Sequence, residues 1–236
     1  MYARKSAYYS ENYIYSFVTQ EAFKPGIIDR VRALIRKNRR DHPWLFLSDE
    51  GLLESAGLWQ TDYQTGQSGY TLAAALLLGR DEVIRSIMPH YRIDALVRRE
   101  DLERFDDRVD IRTNLIEAYE QLMAFAEKHL PDPFFTEGDQ RTSLREKIFR
   151  EVVGNLIVHR EYTNAIPARF IIYANRVEVE NANKPSAFGP LNPEKFSPFP
   201  KNPTIARFFV QLGRVDELGS GIRNIIRYLR AYRPGG

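Results

Sequence analysis

Residues 143–164 read SLREKIFREVVGNLIVHREYTN, and the interpretation of the whole chain depends on this stretch. Ser143 followed three residues later by Glu146 is the pattern of a capping box, which predicts that a helix begins here. Three polar side chains then recur every four residues: Glu151, Asn155 and His159. A helix places them in one stripe beside an apolar face, where they are positioned to line a cleft.

The chemistry of this stripe allows two interpretations. The Glu151 carboxylate and the Asn155 amide offer oxygen ligands of the kind that Mg²⁺ prefers. The carboxylate is also suited to orient or deprotonate a water for attack on a phosphoryl group. The alternative, which the spacing alone favours, is a helix edge that carries a salt bridge and a partly buried histidine.

The composition is that of an ordinary soluble protein of one large domain or two modest ones. Of the 236 residues 43% are hydrophobic and 28% are charged. There is no cysteine, which excludes disulfides and thiolate chemistry and favours a reducing, cytoplasmic location. No apolar run approaches the roughly 20 residues of a membrane span, and no secretory signal is apparent, so a membrane partner is not expected.

Charge and histidine content argue against two further classes of protein. The net charge of +3 comes from 34 basic and 31 acidic residues, so the overall charge is a poor argument for nucleic-acid binding. The six cations on the first predicted helix are interpreted first as a solvated face and second as a surface for nucleic acid or an acidic partner. The four histidines are scattered, which makes a zinc site improbable.

Upstream of the opening stretch, the pattern predicts mostly short helices followed by a strand pair. Pro25 is expected at the first position of a helix over roughly residues 26–39, and Ser48 is expected to cap a short helix that Gly57 ends. Strands are predicted at 91–98 and 108–111. Thr113 is expected to cap a long helix that extends to about Leu130.

Downstream, the pattern predicts a strand hairpin, a long loop and two helices. The strands ARFIIY and RVEVEN flank a tight turn at Ala174 and Asn175, with Val177 and Val179 facing the core. A proline-rich loop over 182–202 precedes a helix that Asn202 and Pro203 are expected to cap and start.

The last helix follows a glycine turn formed by Gly219, Ser220 and Gly221. Free amides at such a helix entry suit an anion. The plainer interpretation is a structural turn in which Ser220 caps the helix.

The order of these features resembles the ATP-binding fold of gyrase, the Hsp90 chaperones, histidine kinases and MutL. In particular REVVGNLIVHREY, RVEVEN, NPTIARFFVQLG and ELGSGIRNII resemble the C-terminal module of bacterial transcriptional regulators and RecG-helicase-related ATPases. In that family an AlbA-like (Schlafen-like) DNA-binding domain precedes the module. The likeness covers residues 144–232, while TLAAALLLG and RIDALVR resemble the intermediate segment of the family.

This resemblance implies roles for individual residues. Glu151 would be the water-activating or structural carboxylate, and Asn155 would be the ligand of Mg²⁺ that accompanies ATP. His159 and Arg160 would lie near the phosphates, and Gly219, Ser220 and Gly221 would form the second glycine box. The chain departs from the family at residues 181–185, which read NANKP where the ATPases have Asp-x-Gly-x-Gly. Asn181 therefore occupies the position of the aspartate that recognises the adenine amino group.

The resulting expectation is an α/β protein of two parts. Residues 1–112 would form a smaller, mostly helical intermediate domain, and residues 113–236 an α/β sandwich that is a divergent member of the gyrase/Hsp90/histidine-kinase ATPase fold. The expected function is that of a regulatory module that binds ATP and Mg²⁺ weakly and can form a homodimer. DNA would be contacted through the AlbA-like domain, which no part of this chain resembles. The alternative is a degenerate module for dimerisation or partner docking that no longer binds nucleotide.

Overall fold

The computed structural model describes residues 9–182, 200–216 and 221–232, and it shows a mixed α/β fold. Among these residues eight α-helices accompany three sheets of three, four and two strands.

The four-stranded sheet has the order β5-β4-β8-β9, formed by Asp107–Ile111, Ile93–Arg98, Ala168–Tyr173 and Val177–Glu180. The outer pairs are antiparallel hairpins, whereas β4 and β8 run parallel with Ile93 opposite Ala168. The β4–β8 pair joins strands from the two sides of residue 112. The expected intermediate domain thus contributes two of the four strands to the sheet of the C-terminal part.

The first 90 residues contain the predicted short helices and a small sheet. Helices α1 to α4 span Ile27–Asn38, Asp49–Ser55, Leu72–Leu78 and Asp81–Ile87. Strands β1 (Ile14–Tyr15), β2 (Trp59–Thr61) and β3 (Ser68–Thr71) form an antiparallel sheet of order β1-β3-β2.

Two of the cap predictions here are confirmed and one is wrong. The Ser48 hydroxyl accepts the Gly51 amide at 3.1 Å, and Gly57 follows the helix with a φ of 74°. Gly26, with a φ of 73°, is the N-cap of α1, so Pro25 precedes the helix instead of starting it.

Three of the six cations predicted for the first helix are paired within the described part of the chain, two on α1 and one at its C-cap. Arg30 contacts Glu117 and Glu120, Arg32 contacts Asp49, and Arg39 contacts Asp41 at 3.0 Å. These pairs favour the interpretation of this helix as a solvated face.

Helix α5 spans Leu115–His129, and Asn114 caps it by accepting the Glu117 amide at 3.0 Å. The prediction that Thr113 is the cap is therefore wrong by one residue. The Thr113 hydroxyl instead donates to the carboxylates of Asp81 and Glu117, which holds α4 against the start of α5. A small hairpin of β6 (Thr136–Glu137) and β7 (Gln140–Arg141) follows α5.

Helix α6 spans Leu144–Val158, and the Ser143 hydroxyl accepts the Glu146 amide at 3.0 Å, which confirms the predicted cap. α6 packs between α5 and α8, the latter spanning Gly221–Tyr232. α7 spans Pro203–Gln211, with the predicted proline as its first residue. Among the described residues, no helix is long and apolar enough to cross a membrane.

Asn202 precedes α7, but its side chain does not cap this helix. Its amide Nδ2 donates to the carbonyls of Val158 and Arg160, at 2.9 and 2.8 Å. The amides of Thr204 and Ile205 are instead accepted by the buried carboxylate of Glu11, at 2.7 and 3.0 Å. A side chain about 190 residues upstream in sequence therefore caps α7.

Candidate functional site

A cavity of about 650 Å³ lies between α6, α8 and the β8–β9 hairpin. α6 contributes Ile148, Phe149, Val152 and Asn155 to its wall, and the turn between the two strands contributes residues 173–177. Most of the wall is apolar, as is usual for a site that binds an organic ligand. Val179 also lines this cavity and is 39% exposed, so the expectation that it faces the core is wrong.

Asn155 brings an amide group to this apolar wall, close to the first turn of α8. A β-carbon on Gly221, the first residue of α8, would lie 3.9 Å from Asn155 Nδ2 and 2.5 Å from Glu151 Oε2. The backbone of α8 can approach α6 this closely only because Gly221 has no side chain. The structure therefore brings Glu151, Asn155 and Gly221 together, as the sequence predicts.

Glu151 is 2% exposed and is held from the segment that precedes α8. Its Oε1 accepts the backbone N–H of Asp216 at 3.2 Å. Burial raises the pKa of Glu151, and the nearby Asp216 carboxylate raises this pKa further. The Glu151 carboxylate therefore holds the segment that precedes α8 against α6.

The Asp216 side chain extends this connection between the two helices. Its carboxylate pairs with Arg150 of α6 and accepts Asn224 Nδ2 of α8 at 2.9 Å. Arg150 also lies 3.7 Å from Glu151 Oε1. Sequence reasoning missed Asp216, and its place in VDELGSG, just before the glycine turn, was the only available signal.

His159 and Arg160 are not part of this arrangement. His159 follows the last residue of α6 as its C-cap, and its N–H donates to the Asn155 carbonyl at 3.0 Å. Burial lowers the pKa of His159. The Arg160 side chain is fully buried against the start of β4, where its Nη1 donates to the Arg92 carbonyl at 2.7 Å. The structure thus places Arg160 away from the cavity that Asn155 lines.

Asn181 follows β9, and its side chain returns to α6. Its Nδ2 donates to the Leu156 carbonyl at 2.7 Å, and its buried Oδ1 has no partner among the described residues. A buried acceptor without a donor is rare and costs free energy. Asn181 is not among the residues that line the cavity beside Asn155. Gly219 and Ser220 lie outside the described residues, as do residues 183–185 of the departing segment.

The described residues do not provide a metal site of their own. No group of three His, Asp or Glu side chains among them is suitably placed to hold a metal ion. The Glu151 carboxylate already accepts an amide and faces the backbone of Gly221. Asn155 therefore remains as a single oxygen ligand, which fits a Mg²⁺ ion only if a ligand supplies the other oxygens.

Comparison with known proteins gives a family match over part of the chain and a structural likeness over most of it. Residues 1–94 match a family described as a domain of unknown function, DUF8451. No curated protein matches the sequence.

The fold is similar to that in the crystal structure of the DIP2311 protein from Corynebacterium diphtheriae, with a TM-score of 0.67 and 18% sequence identity. The likeness covers 97% of this chain and 44% of that one, so this chain spans less than half of the length of that protein. At this identity the likeness concerns the fold alone, and it supports the mixed α/β description.

Proposed function

We propose that this chain is a regulatory module that binds a nucleotide, with ATP as the first candidate, in the cavity between α6, α8 and the β8–β9 hairpin. The observation that carries the proposal is the position of Asn155, whose amide lies in a mostly apolar wall beside the first turn of α8. The apolar wall suits a planar base, and a helix entry such as that of α8 suits a phosphate.

The chemistry proposed is binding without efficient turnover. Asn155 would hold Mg²⁺ that arrives with the phosphates. Glu151 is less suited to activate a water, because its Oε1 accepts the Asp216 amide and its Oε2 faces Gly221. This chain has Asn181 where the ATPases of this fold have the aspartate that recognises adenine. We therefore expect its affinity for ATP to be lower than theirs by roughly tenfold or more.

The regulatory role rests on the family resemblance of residues 144–232. It places this module in a bacterial transcriptional regulator in which a separate AlbA-like domain contacts DNA. A homodimer belongs to the same proposal. Each of these parts is testable apart from nucleotide binding, by DNA-binding assays on the full-length gene product and by analytical ultracentrifugation of this chain.

Isothermal titration calorimetry with ATP and Mg²⁺ tests the binding step. We expect a weak, saturable signal that Asn155→Ala reduces when Mg²⁺ is present. Val152→Phe places a larger side chain in the cavity wall and is expected to abolish binding of the base. Ile166→Phe is the matched control, because Ile166 is exposed and lies outside the cavity wall. Absence of heat at millimolar nucleotide would refute the proposal.

A second candidate is a structural module that has lost its ligand and serves in dimerisation or partner docking. The observation that favours it is the use of Glu151 and Arg150 to hold Asp216, so that both side chains connect α6 to the start of α8. For this candidate Asn155→Ala has no effect on any activity of the protein. Changes on its exposed surface would abolish self-association instead.

A further inference from the structure

A buried group of hydrogen-bond donors lies at the junction of α6 and the start of β4, apart from the proposed nucleotide cavity. Arg160 is 0% exposed, and Tyr91 and Tyr162 beside it are also buried. Among the described residues, no carboxylate lies within 4.0 Å of the Arg160 guanidinium. A positive charge is thus removed from water without a counter-charge at salt-bridge distance in the described parts of the chain.

Several donors of this group have no acceptor in the part of the chain that the structure describes. Arg160 Nη1 donates to the Arg92 carbonyl, but Nε and Nη2 have no partner. The Tyr91 hydroxyl is also buried and without a partner among the described residues. Because buried polar groups are nearly always satisfied in native proteins, these three atoms on two residues in contact indicate a missing acceptor.

The two tyrosine rings compensate for only part of the cost of burying Arg160. The guanidinium carbon lies 5.2 Å from the centre of the Tyr91 ring and 5.6 Å from that of Tyr162. A tighter stack exists elsewhere in the chain, where Arg176 lies 4.1 Å from the Tyr173 ring. Cation–π contacts also leave the in-plane N–H groups of a guanidinium unsatisfied.

We propose that Arg160, with the Tyr91 hydroxyl, forms an enclosed binding site for a small monovalent anion such as chloride. An anion supplies both the missing counter-charge and the missing acceptor for Nε and Nη2. Enclosure selects for size: with Arg160, Tyr91 and Tyr162 all buried, a ligand that carries a larger organic group has no route for that group to solvent.

The nearest acidic side chains are committed to other partners and do not replace the anion. Asp81 acts electrostatically on Tyr91, but it accepts the Thr113 hydroxyl at 2.7 Å. Glu11 acts on Tyr162, but its two oxygens accept the first amides of α7.

The site has a structural consequence for the surrounding elements. Asn202 at the start of α7 donates to the Arg160 carbonyl, and Arg160 donates to the Arg92 carbonyl before β4. The bound anion would therefore stabilise the point at which α6, α7 and β4 meet.

Thermal unfolding at constant ionic strength tests the site, with sodium chloride replaced stepwise by sodium gluconate. Above the dissociation constant we expect the melting temperature to rise by roughly 3–5 °C for each tenfold increase in chloride. Arg160→Met removes the guanidinium and is expected to abolish this dependence. The exposed cation Arg85 provides the matched control, since Arg85→Met should leave the dependence intact. Equal melting temperatures of the unaltered protein in chloride and gluconate overturn the proposal.

Tyr91→Phe and a bromide soak keep the test decisive if Arg160→Met does not fold. Tyr91→Phe removes one hydroxyl and is expected to weaken the chloride dependence severalfold without loss of folding. In crystals soaked with bromide, we expect an anomalous peak about 3.3 Å from the Arg160 guanidinium nitrogens. A water at this position without anomalous signal refutes the anion site, as does a Tyr91→Phe variant with unaltered chloride dependence.

Discussion

At the scale of one residue, Glu151 stands where the sequence predicts a water-activating or structural carboxylate, and in the structure this carboxylate holds a neighbouring segment of the chain. Its spacing from Asn155 places both side chains on one stripe of α6, and both approach the first turn of α8. The carboxylate, however, accepts the Asp216 amide and is 2% exposed. Its buried charge therefore has consequences for stability that can be measured independently of any ligand.

Glu151→Gln is expected to change the pH dependence of stability. The pKa of Glu151 is raised above its ordinary value of 4.5 in the folded protein, mainly by burial. At a pH between 4.5 and the raised pKa of Glu151, the folded protein binds more protons than the unfolded chain. The free energy of unfolding therefore falls as pH rises through this range. Glutamine has no proton to lose. Urea unfolding should show that the variant gains stability relative to the unaltered protein as pH rises above 4.5, until Glu151 is ionised in the folded state as well. A constant difference would contradict the assignment.

Gly221→Ala is expected to destabilise the protein because the new methyl group meets the Glu151 carboxylate. The added β-carbon would lie 2.5 Å from Glu151 Oε2, closer than nonbonded atoms can approach. We expect a loss of about 1–3 kcal/mol in the free energy of unfolding. Combination with Glu151→Ala removes the clash, so the cost of Gly221→Ala should largely disappear in that background. Equal costs in both backgrounds would show that the clash is not the cause.

At the scale of the element, α7 depends on a distant side chain for its N-terminal cap. The amides of Thr204 and Ile205 are satisfied by Glu11, which precedes β1. The local residue Asn202, which by type is a good cap, uses its amide to bind the end of α6. The start of α7 is therefore tied to two separate parts of the chain.

Glu11→Ala is expected to lower the free energy of unfolding by about 1–3 kcal/mol, because two buried amides lose their acceptor. Glu21→Ala is a matched control, since Glu21 is a nearby exposed carboxylate. Chemical denaturation measures the loss, and hydrogen exchange of the Thr204 and Ile205 amides locates it. Unaltered exchange of these amides in Glu11→Ala would show that another group caps α7.

At the scale of the whole molecule, the four-stranded sheet connects the two expected domains. β4 lies between β5 and β8, so the parallel pair has contacts from both sides of residue 112. The hydrophobic core is also continuous across this point, since the Trp44 ring lies 5.7 Å from that of Phe208. These contacts predict that the two parts do not unfold independently.

A fragment of residues 113–236 is therefore expected not to fold on its own. Without β4, the apolar strand β8 (ARFIIY) becomes an edge strand, which favours aggregation. The entire chain should show a single thermal transition by calorimetry, and the fragment should show none. A fragment with a cooperative transition and dispersed amide resonances would support two independent domains instead.

Local signals in the sequence were sufficient for much of the secondary structure. The cap at Ser143, the cap at Ser48 and the hairpin of β8 and β9 depend on residues within a few positions of each other. The proximity of Glu151 and Asn155 has the same origin, because helical spacing alone sets it.

Only the tertiary structure decided how those residues are used. Glu11 caps α7, Asp216 binds Glu151, and Arg160 is buried beside Tyr91, and each of these contacts joins residues more than 60 positions apart. No periodicity encodes such a contact, since it depends on which surfaces the sheet and its helices bring together. The sequence by itself determined the helix with its polar stripe, and packing determined that Glu151 fastens α8 while Asn155 remains at the cavity. The physical reason is that hydrogen-bond geometry along one helix is local, whereas burial is a property of the folded chain as a whole.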